Sequence, residues 1–241
     1  MDGQFAIVTG GSAGIGQAIC RHLLEAGWGV VSLARRAPGF EHPRLHSIEV
    51  DLGDPAATRE AARLACERHP VGAVIHNAGA MRPALLPEVS VQDLEALTAL
   101  HLSAALVLVQ AALPGMRRRR CGRIVLVSSR AALGLATRTA YATTKAGMFG
   151  MARTWALELG ADGITANVVA PGPIVTDMFH EVVPREPAAL DATAAKIPVG
   201  RLGTPDDVAR AVMFFVAPGS GFVTGQSLYV CGGTSVGSIT Y

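Results

Sequence analysis

The sequence predicts an α/β fold in which a doubly wound parallel sheet carries helices on both faces. Apolar segments of strand length alternate with longer segments of helical period along the 241 residues, as in repeated βα units. The strand segments are apolar on both faces, which is typical of a parallel sheet covered on both sides. They read FAIVTG, GVVSLA, LHSIEVD, VGAVIHNAG, GRIVLVSS and GITANVVAPG.

We expect a single domain over residues 1–241, because no internal repeat, low-complexity linker or change of composition divides the chain. Residues 178–200 interrupt the alternation before the last helix and strand. Their prolines and weak periodicity predict a mobile excursion, which we interpret as a substrate lid. The lid combines apolar residues such as Met178 and Phe179 with charged ones such as Arg185, so it does not identify the substrate.

Composition favours an oligomer that acts on a small molecule. Half of the residues are hydrophobic and 17% are charged, and the mean hydropathy is +0.35, so we expect partner subunits, as a homotetramer or homodimer, to cover part of the surface. The net charge of +2 is too small to indicate a nucleic-acid partner. We interpret the arginine run at Arg117–Arg120 as a solvated loop.

The cysteines and the apolar runs favour a soluble, cytoplasmic protein. The four cysteines have no CxxC spacing, so the sequence predicts neither a metal site nor a disulfide framework, and a reducing compartment fits. No run of about 18 apolar residues occurs, so we expect no membrane partner.

A glycine-rich turn follows the first predicted strand. In TGGSAGIG, Gly10 permits a tight turn, Gly14 permits close approach of a pyrophosphate, and Gly16 permits close helix packing. This is the place of the dinucleotide-binding turn in a Rossmann-type fold, although the spacing is GxxxGxG rather than GxGxxG. We therefore predict phosphate binding here, also by the intervening Ser12 and Ile15.

The end of the second predicted strand favours NADP over NAD. A NAD site places a carboxylate there to bind the ribose 2′-hydroxyl, but the sequence reads SLARR and has no acid. Arg35 and Arg36 offer guanidinium groups that can hold a 2′-phosphate in a fork geometry. NAD remains a possible cofactor at this stage.

Four motifs in order resemble the short-chain dehydrogenase/reductase family. They are TGGSAGIG, HNAG at residues 76–79, YATTK at residues 141–145 and APG at residues 170–172, and the resemblance covers essentially the whole chain. It implies that Tyr141 is the general acid/base, that Lys145 binds the nicotinamide ribose and lowers the pKa of Tyr141, and that a serine holds the substrate oxygen. Tyr141 and Lys145 stand four residues apart, so they lie on one face of a helix.

Two consecutive serines compete for the substrate oxygen, and only one can face it because consecutive strand residues point in opposite directions. The family's usual spacing to the tyrosine selects Ser128, whereas matching forward from GRIV selects Ser129. We predict Ser129, with a loop one residue shorter than usual, because strand register is more constrained than loop length.

The resemblance also implies further cofactor contacts. Asp51 and the adjacent Leu52 resemble the adenine site, and Asn77, Ala78 and Gly79 resemble the turn that supports the cofactor. The segment with Pro171, Gly172 and Thr176 resembles the one that holds the nicotinamide amide.

One position departs from the family pattern. His101 stands where the family has a helix asparagine that helps to hold a water in the proton relay behind the lysine. Histidine also donates and accepts hydrogen bonds, but it is larger and titrates near neutral pH. Two interpretations stay open: His101 takes part in an altered relay as a catalytic residue, or it is a satisfied core histidine.

These observations predict an NADPH-dependent carbonyl reductase that runs reversibly as an alcohol dehydrogenase. The alternatives are a NAD-dependent catabolic alcohol or polyol dehydrogenase and a nicotinamide-binding regulator without turnover. Among substrates, 3-oxoacyl thioesters, ketones, sugars and other polyols, and secondary alcohols are not ranked by the sequence.

Overall fold

Seven parallel strands form one sheet in the computed structural model, which describes residues 3–236. In chain order they are β1 (Phe5–Thr9), β2 (Gly29–Ala34), β3 (Leu45–Glu49), β4 (Val71–His76), β5 (Gly122–Val127), β6 (Ile164–Pro171) and β7 (Ser227–Val230). Their spatial order is β3-β2-β1-β4-β5-β6-β7. The predicted fold class is confirmed. Residues 1–2 and 237–241 of the predicted domain lie outside the described residues.

Helices cover both faces of this sheet. They are α1 (Gly14–Glu25), α2 (Pro55–Arg68), α3 (Val91–Thr98), α4 (Ala104–Arg119), α5 (Thr139–Leu159), α6 (Asp177–His180), α7 (Pro187–Ala194) and α8 (Pro205–Val216). One apolar cluster joins α1 and α8 to one face of the sheet. A second joins α2, α4 and α5 to the other face, so the core has two layers.

The strand order reverses between β1 and β4, which pair directly with each other. In open α/β sheets, ligands bind beyond the carboxyl ends of the strands at such a switch point. The chain leaves these ends through the glycine turn after β1, the Asn77–Gly79 turn after β4 and the serine pair after β5. The topology therefore gathers the predicted site residues at one edge of the sheet.

Two elements differ from the sequence prediction, and the predicted lid contains helices that the sequence pattern did not indicate. β3 is an edge strand with only partial burial, not one covered on both faces, since it has a neighbouring strand on one side alone. The predicted lid, residues 178–200, contains α7 and all of α6 except its first residue. Helix α7 starts at Pro187, where proline is favoured because its missing N–H would have no helical partner. Within the arginine run, Arg117–Arg119 form the last turn of α4 and Arg120 is its C-cap, where positive charges interact favourably with the helix dipole.

The segment Val91–Arg119 is continuous helix, but residues Ala99–Ser103 form a π-helical turn between α3 and α4. Among the described residues this one helix is long and apolar enough to cross a membrane by length and composition, and 39% of its apolar window is buried in the chain. Such a helix is weak evidence of a membrane span, because helices that pack in soluble proteins pass the same test. Here α4 packs against α2 and β4.

Candidate active site

Three cavities that share lining residues follow the carboxyl edge of the sheet. The first, of about 770 Å³, lies beyond β1, β2 and β3. The second, of about 230 Å³, shares Gly10, Ala78 and Gly79 with the first. The third, of about 500 Å³, shares Ile15, Tyr141, Thr176 and Met178 with the second. Together they form one continuous path along the switch point.

The glycine turn is shaped for a phosphate. Gly10 has φ +67° and Gly14 has φ +52°, both in the left-handed region that favours glycine. A Cβ on Gly16 would lie 2.1 Å from the Gly10 carbonyl oxygen. Helix α1 begins after Ala13 without a side-chain cap and without an acid in its first turn. Its first N–H groups and its positive dipole end are therefore free to hold a pyrophosphate.

The first cavity brings together the residues predicted for the adenosine end of the cofactor. Ser12, Arg35 and Arg36 line it, as do Asp51 and Leu52. The Asp51 carboxylate accepts a hydrogen bond from the Gly53 N–H, which fixes the turn after β3. The 770 Å³ volume of this cavity and the two guanidinium groups that line it fit a nucleotide with an additional phosphate on its ribose.

The second cavity is lined by the residues predicted for the nicotinamide end, including Asn77, Lys145 and Thr176. Asn77 is held by Thr9: its backbone N–H donates to the Thr9 hydroxyl at 2.9 Å and its side-chain amide donates to the Thr9 carbonyl at 3.1 Å. Thr176 caps α6 through a hydrogen bond from the Phe179 N–H. Pro171 ends β6, Gly172 follows it, and both line the adjoining third cavity.

The third cavity separates the two serines. Ser129 lines it together with Tyr141, and the hydroxyl of Ser129 also accepts a hydrogen bond from the Ala131 N–H. The Ser128 hydroxyl is buried and donates to the Lys145 carbonyl at 2.7 Å. The structure therefore brings Ser129, and not Ser128, to the tyrosine.

Two basic side chains, Arg138 and Lys145, lie near Tyr141. Burial raises the pKa of Tyr141, and the neighbouring Ser129 hydroxyl and the charge of Arg138 act against that rise. Lys145 donates to the Val127 carbonyl at 2.8 Å, and its Nζ lies 5.8 Å from the tyrosine ring centre. Burial lowers the pKa of Lys145 to about 7. The charge of Arg138 thus favours the ionised form of Tyr141 in this structure, and the role of Lys145 in lowering the pKa of Tyr141 stays a prediction.

His101 connects the Asn77–Gly79 turn to α5 by two hydrogen bonds. Its Nε2 accepts from the Ala80 N–H at 3.2 Å and its Nδ1 lies 2.8 Å from the Thr144 hydroxyl. An N–H can only donate, so Nε2 carries no proton and Nδ1 donates to Thr144. Thr144 in turn donates to carbonyls of its own helix. This neutral tautomer is satisfied on both nitrogens, which supports the interpretation of His101 as a core histidine.

A second buried histidine lies behind this one. The Thr9 hydroxyl accepts from the N–H groups of Asn77 and Ala78, so its own proton points to His76 Nδ1 at 3.1 Å. The Nε2–H of His76 then faces the carbonyls of Leu100 and His101, without a hydrogen bond of good geometry. Burial, followed by the charge of Lys145, lowers the pKa of His76 to about 3. The same two causes, in the same order, hold the pKa of His101 well below its usual range.

Sequence reasoning missed three residues of this site: His76, Arg138 and Thr144. His76 is part of the HNAG motif and Thr144 of the YATTK motif, so both stood inside patterns that were interpreted only through their neighbours. Arg138 stands three residues before Tyr141, close enough to share a helix face. Its burial, however, depends on tertiary contacts that no short pattern encodes.

Comparison with known proteins agrees with this geometry. The protein family described as Enoyl-(Acyl carrier protein) reductase matches residues 10–235. The chain belongs to the short-chain dehydrogenase/reductase family. The predicted family is thereby confirmed, and the chain is an NAD(P)-dependent oxidoreductase of that family.

Relatives within the short-chain dehydrogenase/reductase family cover the chain almost completely. The (2S)-[(R)-hydroxy(phenyl)methyl]succinyl-CoA dehydrogenase subunit BbsD of Thauera aromatica is 35% identical, over 97% of this chain and 97% of its own length. The 3-oxoacyl-[acyl-carrier-protein] reductase FabG of Vibrio cholerae is 34% identical, over 97% and 98%. A blue fluorescent protein from a metagenomic library, solved in complex with NADPH, has a TM-score of 0.84 at 34% identity, over 96% and 98%.

Proposed function

We propose that this protein is an NADPH-dependent carbonyl reductase that converts a ketone, a 3-oxoacyl compound or another carbonyl substrate to a secondary alcohol. One observation carries the proposal. Tyr141 lies at the junction of the 230 Å³ cavity, which contains Lys145, and the 500 Å³ cavity, which contains Ser129. A carbonyl in the larger cavity can therefore reach the tyrosine while a nicotinamide lies in the smaller one.

When bound, NADPH supplies the hydride that reduces the carbonyl carbon. Ser129 donates a hydrogen bond to the carbonyl oxygen and orients it. Tyr141 gives its hydroxyl proton to that oxygen as the alcohol forms, and takes it back in the reverse direction. Because burial raises the pKa of Tyr141, the free enzyme holds the tyrosine protonated at neutral pH, ready for reduction.

Lys145 has two roles in this proposal. Its burial in the second cavity allows its ammonium to donate to a ribose hydroxyl of the cofactor. Its pKa of about 7 leaves it only partly charged at neutral pH, and hydrogen bonding to a ligand oxygen would favour its charged form. Cofactor binding then strengthens the positive field beside Tyr141 when the phenolate must be stabilised.

The preference for NADP over NAD rests on Arg35 and Arg36. Both line the 770 Å³ cavity at the end of β2, where a 2′-phosphate on the adenosine ribose would lie. An NADPH-binding relative of similar structure supports the same preference. Two guanidinium groups can neutralise the phosphate and bind it through charge-assisted hydrogen bonds.

The proposed lid covers the substrate cavity with apolar side chains. Most of the residues from 178 to 200 that line the cavity are apolar; Thr193 and Lys196 are the polar ones, and the others are Met178, Phe179, Val182, Ile197 and Pro198. Arg185 instead forms an exposed ion pair with Asp177. We therefore expect the body of the substrate to be apolar, as are the acyl and phenyl groups in the names of the relatives.

The remaining apolar surface supports association of the chain with copies of itself. Leu106 on α4 is 40% exposed and Leu157 on α5 is 88% exposed, on helices that also contribute to the core. We propose that these helix faces meet in a soluble homodimer or homotetramer. Light scattering at working concentration should give a dimer or a tetramer, and a monomer would contradict this proposal.

The experiment that tests the proposed reaction is steady-state oxidation of NADPH, and separately of NADH, across ketones, aldehydes and 3-oxoacyl thioesters. We expect turnover with NADPH favoured. A preference for NADH would remove the role of Arg35 and Arg36. Tight cofactor binding without turnover across the panel would favour the regulatory alternative.

A further inference from the structure

Arg138 is a buried arginine without a carboxylate partner. The residue is 5% exposed, and none of the ion pairs among residues 3–236 includes its guanidinium. Its Nη1 donates to the carbonyl and hydroxyl oxygens of Thr137, whereas its Nε has no hydrogen-bond partner. Burial of a cation is unfavourable unless an anion pairs with it. A bound anion would therefore stabilise the guanidinium of Arg138.

The guanidinium lies beside the reacting group of the proposed enzyme. Arg138 lines the same 500 Å³ cavity as Ser129 and Tyr141. It stands at the start of α5, three residues before the tyrosine. Its charge acts on the tyrosine hydroxyl, where it opposes part of the rise in pKa that burial causes. An anion bound to Arg138 would therefore lie next to a carbonyl bound to Tyr141.

The local backbone holds Arg138 in place. Thr137 has φ +65°, a left-handed conformation that is strained for a β-branched residue. Its carbonyl accepts both from Arg138 and from the Ala84 N–H, which ties the start of α5 to a neighbouring loop. Strain that the surrounding contacts maintain is typical of functional sites, and here it fixes the side chain that the cavity presents.

The charged residues that line the 500 Å³ cavity are all positive. They are Arg130, Arg138 and Lys196, and the cavity has no Asp or Glu among the described residues that line it. Helix α5 also begins there without a side-chain cap or an acid in its first turn, so its dipole adds a positive field. The other lining residues are mostly apolar. This combination fits an apolar molecule that carries a negative charge near its reacting end.

We propose that Arg138 binds a free carboxylate of the substrate while Ser129 and Tyr141 hold the reacting carbonyl oxygen, so that the preferred substrates are oxo acids. This inference rests on the proposed function. A guanidinium binds a carboxylate through two parallel hydrogen bonds. A neutral ketone or ester of the same shape would leave the buried guanidinium unpaired, and a site built for a polar group rejects analogues that lack it.

The test compares an oxo acid with its methyl ester, for 2-oxo, 3-oxo and 4-oxo chains, with NADPH saturating. The wild type should prefer the acid of at least one chain length. Arg138→Gln should lower kcat/KM for that acid by about 10²-fold, mainly through KM. The same substitution should change kcat/KM for the methyl ester by less than about threefold. Arg138→Lys should retain part of the preference, because it keeps the charge but loses the fork. Arg153→Gln, which removes a charge from an exposed position of the same helix, is the matched control. It should leave the ratio of kcat/KM for the acid to kcat/KM for the ester unchanged.

A binding measurement separates this inference from the proposed reaction. Calorimetry of succinate with the NADP⁺-loaded protein should detect binding that Arg138→Gln abolishes and Arg153→Gln retains, even if no carbonyl compound is turned over. Cofactor binding and the thermal unfolding midpoint of each variant show whether that variant is folded. If Arg138→Gln is not folded, Arg138→Lys takes its place in the comparison.

Equal reduction of acid and ester by the wild type, with a ratio that Arg138→Gln does not change, would overturn the inference. Binding of inorganic phosphate in preference to succinate would overturn the assignment to a carboxylate.

Discussion

The two buried histidines predict a specific loss of stability in acid. His76 and His101 are both fully buried, and hydrogen bonds fix each ring in one neutral tautomer. Burial first, and the charge of Lys145 second, keep their folded-state pKa values far below the usual value, at about 3 for His76. Since the unfolded chain binds these protons and the folded chain does not, stability falls as the pH falls below the unfolded pKa.

The magnitude follows from the unfolded-state pKa of about 6.5 for histidine. At pH 5.0 the unfolded chain carries nearly one extra proton per ring, which lowers the free energy of unfolding by about 2 kcal/mol per ring relative to pH 7.5. For both rings the loss is about 4 kcal/mol, a large share of the 5–15 kcal/mol, roughly, that stabilises a typical domain. The carboxylates lose their contributions mainly at lower pH.

Urea unfolding at several pH values from 5.0 to 7.5 measures this effect. His101→Asn and His76→Asn should each reduce the loss between pH 7.5 and 5.0 by about 2 kcal/mol, whatever they do to the stability at pH 7.5. His42→Asn, at an exposed position, should leave the loss unchanged. If the two buried variants keep the full pH dependence of the wild type, the buried neutral rings are not its source.

Three further outcomes are expected. Arg35→Ala should weaken NADPH binding about tenfold or more while NADH binding stays the same, as measured by cofactor fluorescence titration; equal weakening of both would refute the 2′-phosphate contact. Gly16→Ala should lower the free energy of unfolding by about 1–3 kcal/mol in urea, because its Cβ would lie 2.1 Å from the Gly10 oxygen; wild-type stability would contradict that close contact. Ser129→Ala should lower kcat about 10²-fold, whereas Ser128→Ala should cost about 1 kcal/mol of stability; the reverse pattern in kinetics and unfolding would exchange the two serines.

The sequence was most informative where one property repeats along a segment. Strands such as Gly29–Ala34 and Ile164–Pro171 are buried at every position, so their composition alone predicts a covered parallel sheet. The glycine turn was equally readable, since positive φ angles at Gly10 and Gly14 require a residue without a Cβ. Strand register also selected Ser129, which the structure brings to Tyr141.

The sequence was least informative where a residue's environment comes from distant parts of the chain. The π-helical turn Ala99–Ser103 lies inside a continuous apolar helix, with no glycine or proline to mark it. The resemblance implies that Lys145 lowers the pKa of Tyr141, but it does not reveal that burial raises this pKa and that Ser129 and Arg138 oppose the rise. Arg138 itself reads as an ordinary surface residue until the contacts around it are known.

The proton transfer assigned to Tyr141 is tested most directly by the initial rate of NADPH oxidation with Tyr141→Phe and the wild type, on the best carbonyl substrate of the panel. Cofactor affinity and urea unfolding of the two proteins establish that the fold and the cofactor site are intact. We predict that the variant binds NADPH as the wild type does but loses about 10²–10⁴-fold in kcat, the usual contribution of general acid/base catalysis. Turnover at the wild-type rate by the folded, NADPH-bound variant would contradict the assignment of the proton transfer to Tyr141.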